Sequence, residues 1–226
     1  MNDNRLLKDN YIKINHIAAK CMRFFVALIV ALWAFAFFSR ECNLVVVTIC
    51  MVLCCIFSLI PTLVIDFFKH DRNEAIKYVV ICIAVFNCMI LSSVFSHMAL
   101  VVWIFPILLT SLYYNKTLVV FTALMSTVGV ILADFINLTY CDFMVAPIYL
   151  DYTDSMVLSV FPCVITILIL SLVAYFIVSR NSTMLNSVID NAEEVKSNQK
   201  ELIFAFAELS ESKSKYTGEH IKRVAD

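Results

Sequence analysis

Charge is scarce in this sequence. Asp, Glu, Lys and Arg make up 15% of the 226 residues, and 62% are hydrophobic, where a soluble globule carries about a quarter charged residues. With a mean hydropathy of +0.87, that scarcity excludes an ordinary soluble domain and points to a lipid bilayer. A basic patch able to grip nucleic acid is missing too, so no nucleic-acid partner is expected. Although there are nine cysteines, no CxxC pair or Cys/His cluster has zinc spacing. Cys50, Cys54, Cys55, Cys82, Cys88 and Cys163 lie inside apolar runs, as small polarizable packing groups do. Cys42 and Cys141 fall in expected outer loops, where a disulfide between them is chemically allowed.

What is present is a series of six apolar stretches, near 21–39, 44–65, 78–96, 98–114, 117–139 and 156–179. About twenty residues of helix span a hydrocarbon core of roughly 30 Å. Only "SHM" separates the third stretch from the fourth. The basic residues orient them, because Lys and Arg resist crossing. Arg5, Lys8, Lys13, Lys20 and Arg23 precede or open the first stretch, Lys69, Arg72 and Lys77 follow the second, and Lys116 follows the fourth. The alternate loops carry only Arg40. The expected fold is therefore all-α and integral to the cell membrane: six transmembrane helices with N and C termini cytoplasmic, followed by a cytoplasmic signalling helix or coiled coil.

Residues 1–20 place Leu7, Tyr11, Ile14 and Ala18 at helical spacing among the basic residues. This reads as a basic amphipathic leader on the inner leaflet. No small-residue cleavage site follows, so the first stretch is expected to remain as a helix. After the six-helix region, 21–180, the composition changes. Leu185, Val188, Ala192, Val195, Gln199, Leu202, Phe206 and Leu209 follow a seven-residue repeat, which predicts a coiled-coil connector over 181–213 and a homodimer through 181–210. The alternative is a lone amphipathic helix, because Ile203, Phe204 and Ala205 widen the apolar face. Gly218 predicts a helix break there, with Thr217 as N-cap of a new helix and His220 in its first turn.

The stretch "AFAELSESKSKYTGEHIKRVAD" resembles the opening of an HD-superfamily phosphohydrolase domain, in particular the HD-GYP type of cyclic-di-nucleotide phosphodiesterase. Ala207, Glu208, Leu209, Glu211, Thr217, Gly218, His220, Arg223, Val224 and Ala225 carry it. The resemblance implies that 214–226 begins such a domain, that His220 is a metal ligand in a completed domain, and that two divalent metals of Fe or Mn type serve it. Family members with three metals have Glu where Tyr216 stands, which favours two. The family's later HD dipeptide, histidines and GYP run do not occur within these residues, and His70-Asp71 precedes His220 in an interhelical loop. The chain as given is thus expected to lack the active site, because one histidine cannot assemble a metal pair that activates water. A sensor-kinase phosphoacceptor helix is an alternative, but it wants an acid and a Pro where Ile221 and Ala225 stand.

Ionisable or strongly polar side chains inside spans are costly, and mark functional candidates. Asp134 and Asn137 share a helix face in the fifth stretch. His97 lies at the turn after the third, Trp103 begins the fourth and Asn87 sits mid-third. Together they could line a cavity for a small-molecule signal or a proton. The alternative is structural: Asn87 bonding a neighbouring helix, Trp103 in an aromatic belt. Ser126, Gly129 and Ala133 mark close helix contact, and Pro61, Pro106 and Pro162 predict kinks. The whole suggests a membrane sensor or anchor coupled to an HD-type domain. A small transporter or scaffold is the alternative, weakened by the absence of an internal repeat.

Overall fold

In the computed structural model every regular element among the described residues is helical. The structure describes the backbone of residues 3–38, 44–67, 75–95, 99–139 and 152–225. The chain divides into two compact units, Met1–Asn181 and Ser182–Asp226.

The first unit opens with α1 (Asp3–Phe38) and α2 (Leu44–Thr62), the latter continued by a π-helical turn over Leu63–Phe67. Then come α3 (Ile76–Val94), α4 (Ala99–Val102), α5 (Ile104–Ser111) and α6 (Lys116–Thr139). A short α7 (Tyr152–Ser155) and a second π-helical turn (Met156–Val160) lead into α8 (Phe161–Ala225). Five helical segments are long and apolar enough to cross a membrane: Tyr11–Ala34, Leu44–Phe67, Ile76–Val94, Lys116–Thr139 and Thr153–Lys213.

Side-chain contacts fix how these helices run. α1 and α2 are antiparallel: the Trp33 indole N–H donates to Thr48 Oγ1 at 3.1 Å, and at the far end His16 and Arg23 meet Asp66. α3 and α6 are parallel. The rings of Tyr78 and Phe121 meet edge-on near their starts, with centroids 5.5 Å apart, and Asn137 Nδ2 donates to the Ser93 carbonyl near their ends at 2.7 Å. The intervening chain must therefore return along the bundle, and α4 and α5 make that return. The Cys88 thiol donates to the Val102 carbonyl at 3.4 Å, and the Thr110 and Thr122 hydroxyls pair at 2.8 Å. Ser155 bonds Asp134 where α6 is finishing, so α8 sets out from that end. Its buried Cys163, Ile167, Ser171, Ala174 and Val178 recur at helical spacing and form its inner face.

Pro106 explains why the fourth stretch is two short helices and not one. Without an N–H it cannot bond the carbonyl four residues back, and its ring crowds that carbonyl. The residue is Val102, immediately before the turn at Trp103, and its carbonyl takes the Cys88 thiol instead. Pro162 acts similarly: the turn before it widens to i→i−5, with the Phe161 N–H on the Met156 carbonyl. A π-helical turn also lies just beyond Pro61.

Three expectations change. The leader is not a separate helix, because α1 runs through residues 3–38, and Ile14, Ala18 and Ala19 are buried against the bundle. The amphipathic face read as facing lipid is a packing face, while Tyr11 lies 5.3 Å beneath the Lys77 ammonium. The fourth stretch is broken at Trp103. The helix break at Thr217 and Gly218 is absent, α8 continuing to Ala225. A single glycine costs a helix about 1 kcal/mol, and the Lys, Glu, Ile and Arg around it sustain the helix. The expected Thr217 cap, and the first-turn place of His220, lapse with it.

In the second unit, residues 182–213 form an exposed stretch of α8, with Val188, Val195, Leu202, Phe206 and Leu209 all more than half exposed. Ile203 and Phe204 are equally exposed, so the apolar face is broader than a strict heptad seam.

Gly129 is a place of close packing in the first unit. A Cβ built there would lie 2.5 Å from Cη2 of Trp103, whose side chain is only 1% exposed and cannot withdraw. Gly129→Ala is expected to destabilise the bundle by about 1–3 kcal/mol, measured by thermal unfolding in detergent. Adding Trp103→Phe should recover part of the loss, whereas additive losses would show that the two do not touch.

Candidate functional site

The polar residues of the first unit sort into three groups. The first surrounds the end of α6. Asp134 and Asn137 are one turn apart on α6, beside the broken return pass and the start of α8. With Ser92 of α3, Trp103, Val130, Ala133, Ser159, Val160 and Cys163 they line a cavity of about 20 Å³. That is room for about one water molecule.

Within this group Asn137 is already committed. Its Nδ2–H bonds the Ser93 carbonyl, one of the last-turn carbonyls that a helix leaves without an intrahelical donor. Asp134 is only half committed. Its Oδ1 accepts from the Ser155 hydroxyl at 2.7 Å, and its buried Oδ2 accepts nothing. The Trp103 indole N–H and the Ser92 hydroxyl are also buried and unbonded. No Lys, Arg or His lines the cavity among the described residues. An acid, two donors and an opening of one water's size suit a proton or a water, and exclude any organic ligand from the cavity as folded.

The second group joins α2 to α3. Asn87 Nδ2 donates to Ser58 Oγ at 2.7 Å, and both side chains are fully buried. Asn87 therefore serves as a tie between helices and does not join the Asp134 cavity. The third group was not anticipated from sequence. Asp66 takes His16 Nδ1 on Oδ1 at 2.9 Å and Arg23 Nη1 on Oδ2 at 3.2 Å. All three side chains are about a third exposed or more, so the pairs add little stability. They tie the early turns of α1 to the π-helical end of α2.

Of the site residues read from sequence, Asp134, Asn137 and Trp103 come together, and Asn87 stands apart. His97, Cys42, Cys141 and His70-Asp71 lie outside the described residues. Ser92, Ser155 and Ser159 complete the cavity but carried no signal in the sequence beyond being polar in or near apolar runs. His220 lies in α8, and its side chain is outside the described set. Among the described residues no group of three His, Cys, Asp or Glu stands close enough to hold a metal ion.

The wider recesses differ in kind. One of about 410 Å³ between α3 and α6 is lined by Phe57, Phe86, Met89, Met125 and other apolar groups, with nothing to orient a polar ligand.

No protein-family model matches this chain, and neither a curated protein nor a solved structure matches it.

Side-chain hydrogen bonds between membrane helices average about 0.6 kcal/mol and reach about 1.7. Because Asn137 serves a helix-end carbonyl, Asn137→Ala is expected to cost about 1 kcal/mol. A fall in the midpoint of thermal unfolding would register it, and an unchanged midpoint would mean that the Ser93 carbonyl finds another donor.

Proposed function

We propose that this chain is a six-pass membrane sensor and connector, with both termini cytoplasmic in the cell membrane. In this reading it passes a change in its bundle along α8 to an HD-type metal-dependent phosphohydrolase domain, of the cyclic-di-nucleotide phosphodiesterase kind, and works as a homodimer through 181–210. The observation that carries the reading is α8 itself. One helix, Phe161–Ala225, holds the last apolar stretch, the heptads and the stretch that resembles an HD-domain opening. A coiled coil joined without a loop to a membrane helix transmits rotation or shift with little loss.

The six-pass count is supported by direction as well as hydropathy. With α3 and α6 parallel, the broken stretch between them returns along the bundle, and His16, Arg23, Lys77 and Lys116 then share one end. That end is cytoplasmic by the positive-inside rule. A reporter active only outside the cytoplasm is expected to be silent when fused after Asn115 and active when fused after Ser96. Activity after Asn115 would mean that the fourth stretch does not cross.

Dimerisation through the heptads makes a second expectation. In a cysteine-free background, Leu202→Cys in the proposed seam should cross-link to a second copy under mild oxidation, whereas Ser197→Cys on the opposite face should not. Equal cross-linking at both positions would argue for a lone amphipathic helix.

A further inference from the structure

The helix α1 buries Ile14, Ala18, Met22, Phe25 and Ile29 against the bundle. Lys13, Ile17, Lys20, Phe24 and Leu28 are exposed, and they recur every three or four residues, so they form one stripe on the opposite side. The stripe changes character along its length. Its first half is basic, and neither Lys13 nor Lys20 has an ion-pair partner among the described side chains. Its second half is apolar, with Phe24 67% and Leu28 47% exposed. From Lys13 to Phe38 the helix carries no acid. Asp66, which the end of α2 brings to the flank of α1, has Oδ1 on His16 and Oδ2 on Arg23, so it does not neutralise the two lysines.

Charge and apolar surface meet at one level. Lys20 and Phe24 are one turn apart, about 6 Å along the axis. An ammonium this close to hydrocarbon extends its stem toward the headgroups, and Lys13 stands about 10 Å further out. A phosphate is the group that meets a pair of lysines at this depth, because anionic headgroups attract basic residues beside a membrane helix. An acyl chain is the group that lies along Phe24 and Leu28. A soluble anion would use only the first half of the stripe, and a neutral lipid only the second.

We propose that this stripe is a docking surface for an anionic phospholipid, with the phosphate held between Lys13 and Lys20 and an acyl chain along Phe24 and Leu28. The occupant is a lipid because the stripe presents cations and then hydrocarbon, in the order in which a leaflet presents phosphate and then chain. The side of α1 opposite this stripe, which carries Ile14 and Ala18, is taken by the bundle, so the stripe is the side left to the bilayer. The proposal goes beyond the sensor reading and needs from it only that α1 crosses the membrane.

Its test uses the full chain in phosphatidylcholine vesicles. Trp33→Phe removes the partly exposed tryptophan, Trp103 is 1% exposed and out of reach of lipid, and Phe24→Trp places a fluorescent reporter on the stripe. Brominated phosphatidylglycerol or brominated phosphatidylcholine is then added at equal mole fraction, and quenching of the reporter is compared. Each lysine beside an anionic headgroup favours it about fivefold. Quenching should therefore show a preference of about fivefold or more for phosphatidylglycerol. The preference should fall toward one in Lys13→Gln/Lys20→Gln and persist in Lys13→Arg/Lys20→Arg. Lys196→Gln/Lys200→Gln, which removes the same charge from the exposed stretch of α8, should leave it unchanged. Equal quenching by the two lipids, a preference that survives Lys13→Gln/Lys20→Gln, or an equal fall in both Gln pairs overturns the proposal. Competition by soluble glycerol phosphate also overturns it, because the stripe would then be a site for a free anion. A reporter that neither lipid quenches lies against another copy of the chain or outside the bilayer, and the proposal falls with it. Should Phe24→Trp not fold, Leu28→Trp reports from the same stripe.

Discussion

A bilayer interior supplies no hydrogen bonds, so every backbone carbonyl that a helix leaves open must find a donor within the protein. That constraint explains where most polar side chains of the first unit go. Pro106 opens the Val102 carbonyl, and Cys88 closes it; α3 ends with the Ser93 carbonyl open, and Asn137 closes it from α6. Polar residues that look like candidates for chemistry are thus mostly occupied in keeping broken or ending helices dry. Asp134 is one of several that are only partly occupied, its second oxygen accepting nothing.

The same constraint shapes the path of the chain. Two parallel helices, α3 and α6, need a connection that returns the full length of the bundle, and the return is made by the stretch that Pro106 breaks into α4 and α5. It can be broken because one side of it is covered, although Val101 and Leu108 stay exposed. Ile107, Leu109 and Tyr113 are buried within the unit, and Trp103 is driven into the space left by Gly129. A kinked helix facing lipid would have to satisfy its own open carbonyls, whereas here Cys88 of α3 does so for Val102. Packing and hydrogen bonding therefore act together at one place, next to the polar cavity.

Much of this was legible in the sequence, and the parts that were not have physical reasons. Long apolar runs follow from hydropathy, and the prolines marked the irregular turns. Asp134, Asn137 and Trp103 were legible as polar or amphipathic groups in apolar surroundings. Ser92, Ser155 and Asp66 were not, because a serine near a span end looks neutral, and Asp66 acquires meaning only through His16, fifty residues earlier. The leader was misread because Lys13, Lys20 and Arg23 looked like a boundary. They lie on the exposed side of a helix whose other side, Ile14, Ala18 and Met22, is already buried. Gly218 was overread, since one glycine in a long run of helix formers is a modest penalty and not a stop.

The start of α8 is the place where these effects meet. In an α-helical register the Pro162 ring would press on the Leu158 carbonyl. The π-helical turn avoids this by moving the Phe161 N–H to the Met156 carbonyl. Such a turn holds one more residue than an α-helical turn, and each residue rotates a helix by about 100°. The register in which α8 leaves the turn therefore decides whether Cys163, Ile167 and Ala174 face inward, as they do. Pro162 bounds that turn on one side and the Ser155–Asp134 bond on the other. Of the two bounds only the proline is fixed covalently.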